Sequence, residues 1–165
     1  MFEAVAIDHA DKTEFYRELA GQVSSMVHGE TDHIANAANV SALLFDQMPD
    51  LNWAGFYFLK SPDELVVGPF QGKPACVRIK VGKGVCGTAV ERRASILVED
   101  VDAFPGHIAC DSASRSELVV PLIKGDKVLG VLDLDSPIPS RFDAADQVGI
   151  EAVAALYVAA CEEAA

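Results

Sequence analysis

The stretch ELVVPLIKGDKVLGVLDLDS, Glu117 to Ser136, constrains the fold more than any other part of the chain. Two apolar runs flank Gly125-Asp126, a pair suited to a tight turn, and that arrangement reads as a β-hairpin. A lone hairpin is marginal in water, so it needs further strands, and the preceding region supplies them. NWAGFYFLK (Asn52–Lys60) is aromatic and β-like, SPDE is a turn, and LVVGPF (Leu65–Phe70) is the return strand. ACVRIKV (Ala75–Val81) alternates apolar and polar with period two, SILVEDV (Ser95–Val101) is a further strand, and Asp102 to Ser114 is a loop. Helical spacing marks Lys12 to Val27, through Phe15, Leu19, Val23 and Met26. It marks Asp32 to Gln47 as well, with Ile34, Ala38, Ala42 and Phe45 on one face, and Gly29 and Thr31 punctuate the two segments. GKGVCGTAVERR opens with glycines and continues as a short helix. Beyond the Pro137/Pro139 breaker, Phe142 to Glu163 is helical through Val148, Val153, Leu156 and Tyr157. Hairpin-linked strands between terminal helices predict an α+β domain: a central antiparallel sheet of about six strands, the N- and C-terminal helices on one face, and a ligand pocket on the other. Residues 1–165 are expected to form one domain.

At 165 residues the chain can bury roughly two-thirds of its unfolded surface, so neither metal nor disulfide is needed to hold it together. A net charge of -12 argues against nucleic acid, whose affinity rests on Lys and Arg neutralising phosphates. No apolar run approaches the ~20 residues that span a bilayer, and MFEAVAIDHADKTEFY lacks a basic segment followed by an apolar one. No membrane partner is expected, and the expected address is the cytoplasm. There the four cysteines, Cys76, Cys86, Cys110 and Cys161, are held mostly as thiols.

Cys76, Cys86 and Cys110 fall in the connecting region, and three chemistries compete for them. A zinc site would need preorganised ligands, but there is no C-x-x-C pair and His107 is the only nearby histidine. Buried isolated cysteines can simply be small hydrophobes. Thiol redox chemistry needs two thiols on segments able to approach each other, and glycine-flanked loops supply that. Cys86 lies in GKGVCGTAV, where Gly82, Gly84 and Gly87 permit unusual backbone angles and the start of a helix favours a thiolate or a ligand carboxylate.

The acidic residues are informative too. Glu117 stands seven residues after Cys110, and Asp133 and Asp135 are two apart, so their side chains share a face. Either that face is solvated near the strand's end, or the carboxylates form a cluster that holds a ligand ammonium and keeps one member protonated as an acid. Trp53 and Tyr57, four apart in the first strand, also share a face, as core or as the wall of a small apolar subsite.

Three segments, GPFQGKPACVRIKVGKGVCGTAVE, VEDVDAFPGHIACDSASRSELVVPL and LGVLDLDSP, together resemble the free methionine-(R)-sulfoxide reductase family, enzymes built on a single GAF domain. The likeness covers nearly the whole chain and is strongest from Asn52 to Pro137. It is specific, because generic GAF domains lack three cysteines at this spacing. The resemblance implies that Cys110 is the nucleophile that becomes a sulfenic acid, that Cys76 is the principal resolving thiol, and that Cys86 is an auxiliary one. It implies that Glu117, Asp133 and Asp135 surround the substrate's amino group and sulfoxide, with Glu117 or Asp135 as proton donor, and that Trp53 and Tyr57 wall the methyl group. The substrate would be free methionine-(R)-sulfoxide. Thioredoxin or another external dithiol would supply electrons, with no bound cofactor or metal. A homodimer through the terminal helices would be the assembly, and Cys161 would be structural. A non-catalytic GAF sensor of a small ligand is the competing reading.

Overall fold

The structure is a computed structural model and describes residues 1–161. In chain order its elements are α1 (Lys12–Val27), α2 (His33–Gln47), β1 (Trp53–Ser61), β2 (Glu64–Gly72), β3 (Arg78–Lys80), α3 (Gly84–Arg92), β4 (Ile96–Val98), β5 (Ser116–Lys124), β6 (Lys127–Ser136) and α4 (Ala144–Ala160). The strands form one six-stranded antiparallel sheet in the order β3-β2-β1-β6-β5-β4. The two long hairpins are joined through their first and last strands, β1 and β6, which puts both at the centre.

Helices α1, α2 and α4 lie on one face: α2 covers β1 and β2, α4 covers β5, and α1 packs against α4. Three of these helices begin at aspartates. Asp11 accepts from the Glu14 N–H and Asp32 from the Ala35 N–H, while Asp143 and Asp146 cap each other's backbone N–H groups at the start of α4. The main core lies beneath them, with Leu19, Val40, Phe56, Leu134 and Tyr157 among its buried side chains. On the opposite face α3 covers a smaller core of Tyr57, Leu65, Ile79, Val90, Val119 and Val131. Both faces of β1 are therefore covered, which is why WAGFYF is buried throughout instead of alternating.

Four sequence expectations change. On α2 the row Ile34, Ala38, Ala42 and Phe45 points outward, and the buried face carries Asn36, Ala37, Val40, Ser41, Leu44 and Gln47. Polar groups tolerate that burial because they are bonded. Ser41 donates to the carbonyls of Ala37 and Pro69, Asn36 donates to the Glu30 carbonyl, and Gln47 accepts from the Ile7 N–H. Helix α4 starts after Asp143, with Phe142 buried ahead of it and Val148 exposed; Glu162 and Glu163 lie outside the described residues. The strand read from Ser95 to Val101 is confined to Ile96–Val98, since Asp100 accepts from the Asp102 N–H and starts a turn at Val101–Ala103. The strand read from Ala75 is confined to Arg78–Lys80, and Ala75 to Val77 run as a connection, tied to β2 where the Val77 carbonyl accepts from the Val67 N–H.

Candidate functional site

The segment before β3 and the loop before β5 meet over the α3 face of the sheet, and there Cys76 and Cys110 are joined in a disulfide with Cα atoms 5.5 Å apart. Each partner is held. The Tyr57 hydroxyl donates to the Cys76 carbonyl at 2.9 Å. Asp111, next to Cys110, accepts from the Ala113 N–H at 2.9 Å and from Asn52 Nδ2 at 3.0 Å. Those two bonds hold the Asp111 carboxyl below its ordinary range, the Ala113 N–H more than Asn52. With two sulfurs bonded to each other, the three-thiolate zinc site weighed from the sequence is not assembled in this state.

A floor of carboxylates lies beneath the disulfide, and its assembly depends on an irregularity in β6. The Gly125-Asp126 turn pairs Lys124 with Lys127 and Ile123 with Val128. Continued without interruption, that register would set Glu117 opposite Leu134 and turn Asp133 and Asp135 into the helix-covered core, because Val128 faces the α3 side and they lie an odd number of residues beyond it. A shift between Leu122 and Ile123 changes the count by one residue, so Leu122 pairs with Gly130 and Glu117 with Asp135. Residues directly opposite share a face, so Asp135 and Asp133 now join Glu117 on the α3 side. Gly130 permits this close approach: a Cβ there would sit 2.1 Å from the Tyr57 carbonyl oxygen.

Glu117 and Asp133 are buried and Asp135 half-buried. All three carboxyls are pushed well above their ordinary range. Burial is the first cause for each, followed by a neighbouring carboxylate: Asp135 for Glu117, Glu117 for Asp133, and Asp133 for Asp135. Carboxylate oxygens of Glu117 and Asp133 lie within 4.8 Å of each other, so burial together favours their protonated forms. Asp133 Oδ1 is buried with no partner among the described residues. The solvated-face reading of this strand is thereby replaced by a buried acidic cluster.

Cys86 is the third residue of α3, and its Sγ lies 3.4 Å from Asp133 Oδ2. The expectation of a thiolate does not hold here. Burial and then the charges of Asp133, Glu117 and Asp135 push this thiol well above its ordinary value, overriding the helix terminus. The first turn of α3 receives no side-chain cap, and Gly84 takes a left-handed φ of 62°. Trp53 and Tyr57 stack with centroids 5.8 Å apart, and the Trp53 indole N–H donates to the Lys73 carbonyl. Burial, and then Asp133, raise the Tyr57 hydroxyl, so it remains a neutral donor.

Trp53, Tyr57, Cys86, Cys110, Glu117, Asp133 and Asp135 line one cavity, and Cys76 is tied to it through Cys110. His107 also lines it, with Nε2 3.6 Å from Glu117 Oε2. Burial lowers His107 despite the opposing charge of Asp102, so it is an imidazole at neutral pH. Ligand atoms of Cys86, Glu117 and Asp133 lie within 4.8 Å of one another, which is the one grouping among the described residues that could hold a cation. Sequence reasoning had considered His107 only as a metal ligand and had missed Asn52 and Asp111. The Asp111-x-x-Ser114 turn signature beside Cys110 was the available sign for the last of these.

The GAF domain model matches residues 35–162. The chain is 52% identical over 145 residues to the free methionine-R-sulfoxide reductase of Escherichia coli, covering 88% of this chain and 87% of the relative. It is 56% identical over 138 residues to protein YtsP of Bacillus subtilis, covering 83% and 85%. Among solved structures, the free methionine-R-sulfoxide reductase of Neisseria meningitidis in complex with its substrate superposes with a TM-score of 0.92 at 43% identity, covering 97% of this chain and 95% of that one. A disulfide over buried carboxylates on a six-stranded GAF sheet thus comes with close sequence relatives, and the chain belongs to the free methionine-R-sulfoxide reductase family of GAF-domain proteins.

Proposed function

We propose that the protein reduces free L-methionine-(R)-sulfoxide to L-methionine, with Cys110 as the attacking thiol. The observation that carries this reading is the Cys76–Cys110 disulfide at a cavity floored by Glu117, Asp133 and Asp135. In the reduced enzyme the Cys110 sulfur attacks the sulfoxide, the S–O bond breaks, and oxygen passes to Cys110 as a sulfenic acid while methionine leaves. The oxygen must be protonated as that bond weakens, and Glu117, which lines the cavity and is held protonated by burial and the neighbouring Asp135, is the donor. The Cys76 thiol then displaces hydroxide from the sulfenic acid, water is released, and the disulfide forms. Cys86, kept as a buried thiol, is the auxiliary resolving group.

Asp135 and the unpartnered Asp133 oxygen supply acceptors for the substrate's ammonium, which a peptide-bound methionine lacks. Trp53 and Tyr57 form the apolar wall for the methyl group. The uncapped N–H groups of α3 are donors for the substrate carboxylate. No bound cofactor takes part: a thioredoxin-type dithiol reduces the disulfide, and a reducing cytoplasm is where such a cycle runs. The outward apolar row on α2, together with exposed Val148 on α4, supports a homodimer through the helical face. Phe45→Glu is expected to shift sedimentation toward the monomer.

Counting thiols before and after one equivalent of each diastereomer tests the chemistry. Two thiols should disappear with the R form and none with the S form. Cys110→Ser should form no methionine, whereas Cys76→Ser should complete one turnover and lose dithiol-driven recycling. Steady-state activity in Cys110→Ser would overturn the assignment, and binding without methionine formation would favour a ligand sensor.

A further inference from the structure

The side chain of Asn52, immediately before β1, ties the loop carrying Cys110 to the sheet. Its Nδ2 donates to Asp111 Oδ2 at 3.0 Å and to Ser114 Oγ at 3.0 Å, spanning the residues one and four positions beyond Cys110. Its backbone N–H donates to the Asp135 carbonyl at 3.0 Å, so the amide is seated on the strand pair that carries the carboxylates. The amide orientation follows from chemistry: an Asp111 carboxylate only accepts, so the nitrogen must face it. This leaves Asn52 Oδ1 buried and without a partner among the described residues, and a buried carbonyl is costly to leave unbonded. The arrangement therefore spends one polar group to hold two bonds onto the loop.

We propose that Asn52 is a positioning residue that latches the Cys110 loop to β1, holds Cys110 beside Cys76, and sets how readily their disulfide forms and is reduced. The role rests on reading Cys110 and Cys76 as the reacting pair. When the loop lifts, Oδ1 regains access to water and both bonds open, so the orphaned carbonyl keeps the closed state from being held too tightly. The latch adds stability to the disulfide form alone.

The test is the equilibrium of the Cys76–Cys110 pair in graded dithiothreitol buffers, read by mass after alkylation, with no sulfoxide present. Asn52→Ala should shift that equilibrium toward the dithiol by roughly tenfold, about what a hydrogen bond to a charged group confers. It should also slow disulfide closure after a single turnover while leaving the yield of the first methionine unchanged. Asp111→Ala should shift the equilibrium in the same direction, and the double variant should add little, because both remove one contact. Ser114→Ala, which loses only the weaker bond, should give a smaller shift and serves if Asn52→Ala does not fold. An unchanged equilibrium in folded Asn52→Ala, or additive effects of Asn52→Ala and Asp111→Ala, would overturn the latch. Since the equilibrium needs no substrate, it stands or falls separately from activity in Cys110→Ser.

Discussion

Asp133 and Glu117 show how one face of a strand can be made costly and useful at once. The unfolded chain releases their protons in the ordinary carboxylate range, whereas the folded chain keeps them to higher pH. The folded state therefore binds more protons across that interval, and stability falls as pH rises through it. We expect Asp133→Asn to gain melting temperature relative to the parent as pH is raised from about 5 to 8, and Glu117→Gln to do the same. A difference that stays constant with pH would show that these groups are not held protonated. Cys86 follows from the same burial: in the disulfide form it should resist iodoacetamide until the protein unfolds, since the thiolate is the reactive species. Mass spectrometry after a timed quench reads that directly.

Among elements, the β5–β6 hairpin carries the most information per residue. Its strands and turn are legible because β-branched and apolar runs flank Gly125-Asp126. The side on which Asp133 and Asp135 emerge is not legible, since one extra residue between Val128 and Gly130 reverses it. Gly130→Ala should be among the most damaging single substitutions outside the cavity. Its Cβ meets the Tyr57 carbonyl and the Phe58 Cα, backbone atoms that cannot rotate away. A loss of about 3 kcal/mol in urea denaturation is expected, in the range of overpacked cores. Helix α2 is the other instructive element. Its apolar periodicity suggested a buried Ile34–Phe45 row, but the buried face is partly polar because Asn36, Ser41 and Gln47 find bonds to neighbouring backbone. Hydrophobicity alone ranks faces wrongly when buried polar groups are satisfied by backbone partners.

At the scale of the molecule, the disulfide joins positions 34 residues apart, on segments that meet over the α3 face of the sheet. Chain-entropy reasoning gives a cross-link of that span up to ~4 kcal/mol. The oxidised protein should accordingly melt several degrees above Cys76→Ser, in calorimetry run without reductant. A catalytic cycle that opens and closes this bond needs a reduced form that folds unaided, and the helix-covered core of α1, α2 and α4 provides for that independently of the disulfide.

By itself the sequence determined the chain's class and the cast of its site. Period-two runs, turn pairs and helical spacing specify strands and helices locally, and the three cysteines with Glu117, Asp133 and Asp135 offer thiol chemistry at an acidic pocket, which the family resemblance singles out. Tertiary structure decided which side chains face which. The β6 register set Glu117 against Asp135, burial among carboxylates turned Cys86 from an expected thiolate into a thiol, and Asn52 was bound to a loop 59 residues away. Each of these depends on contacts between segments distant in the chain, where burial and proximity set the energies and no local pattern of residues encodes them.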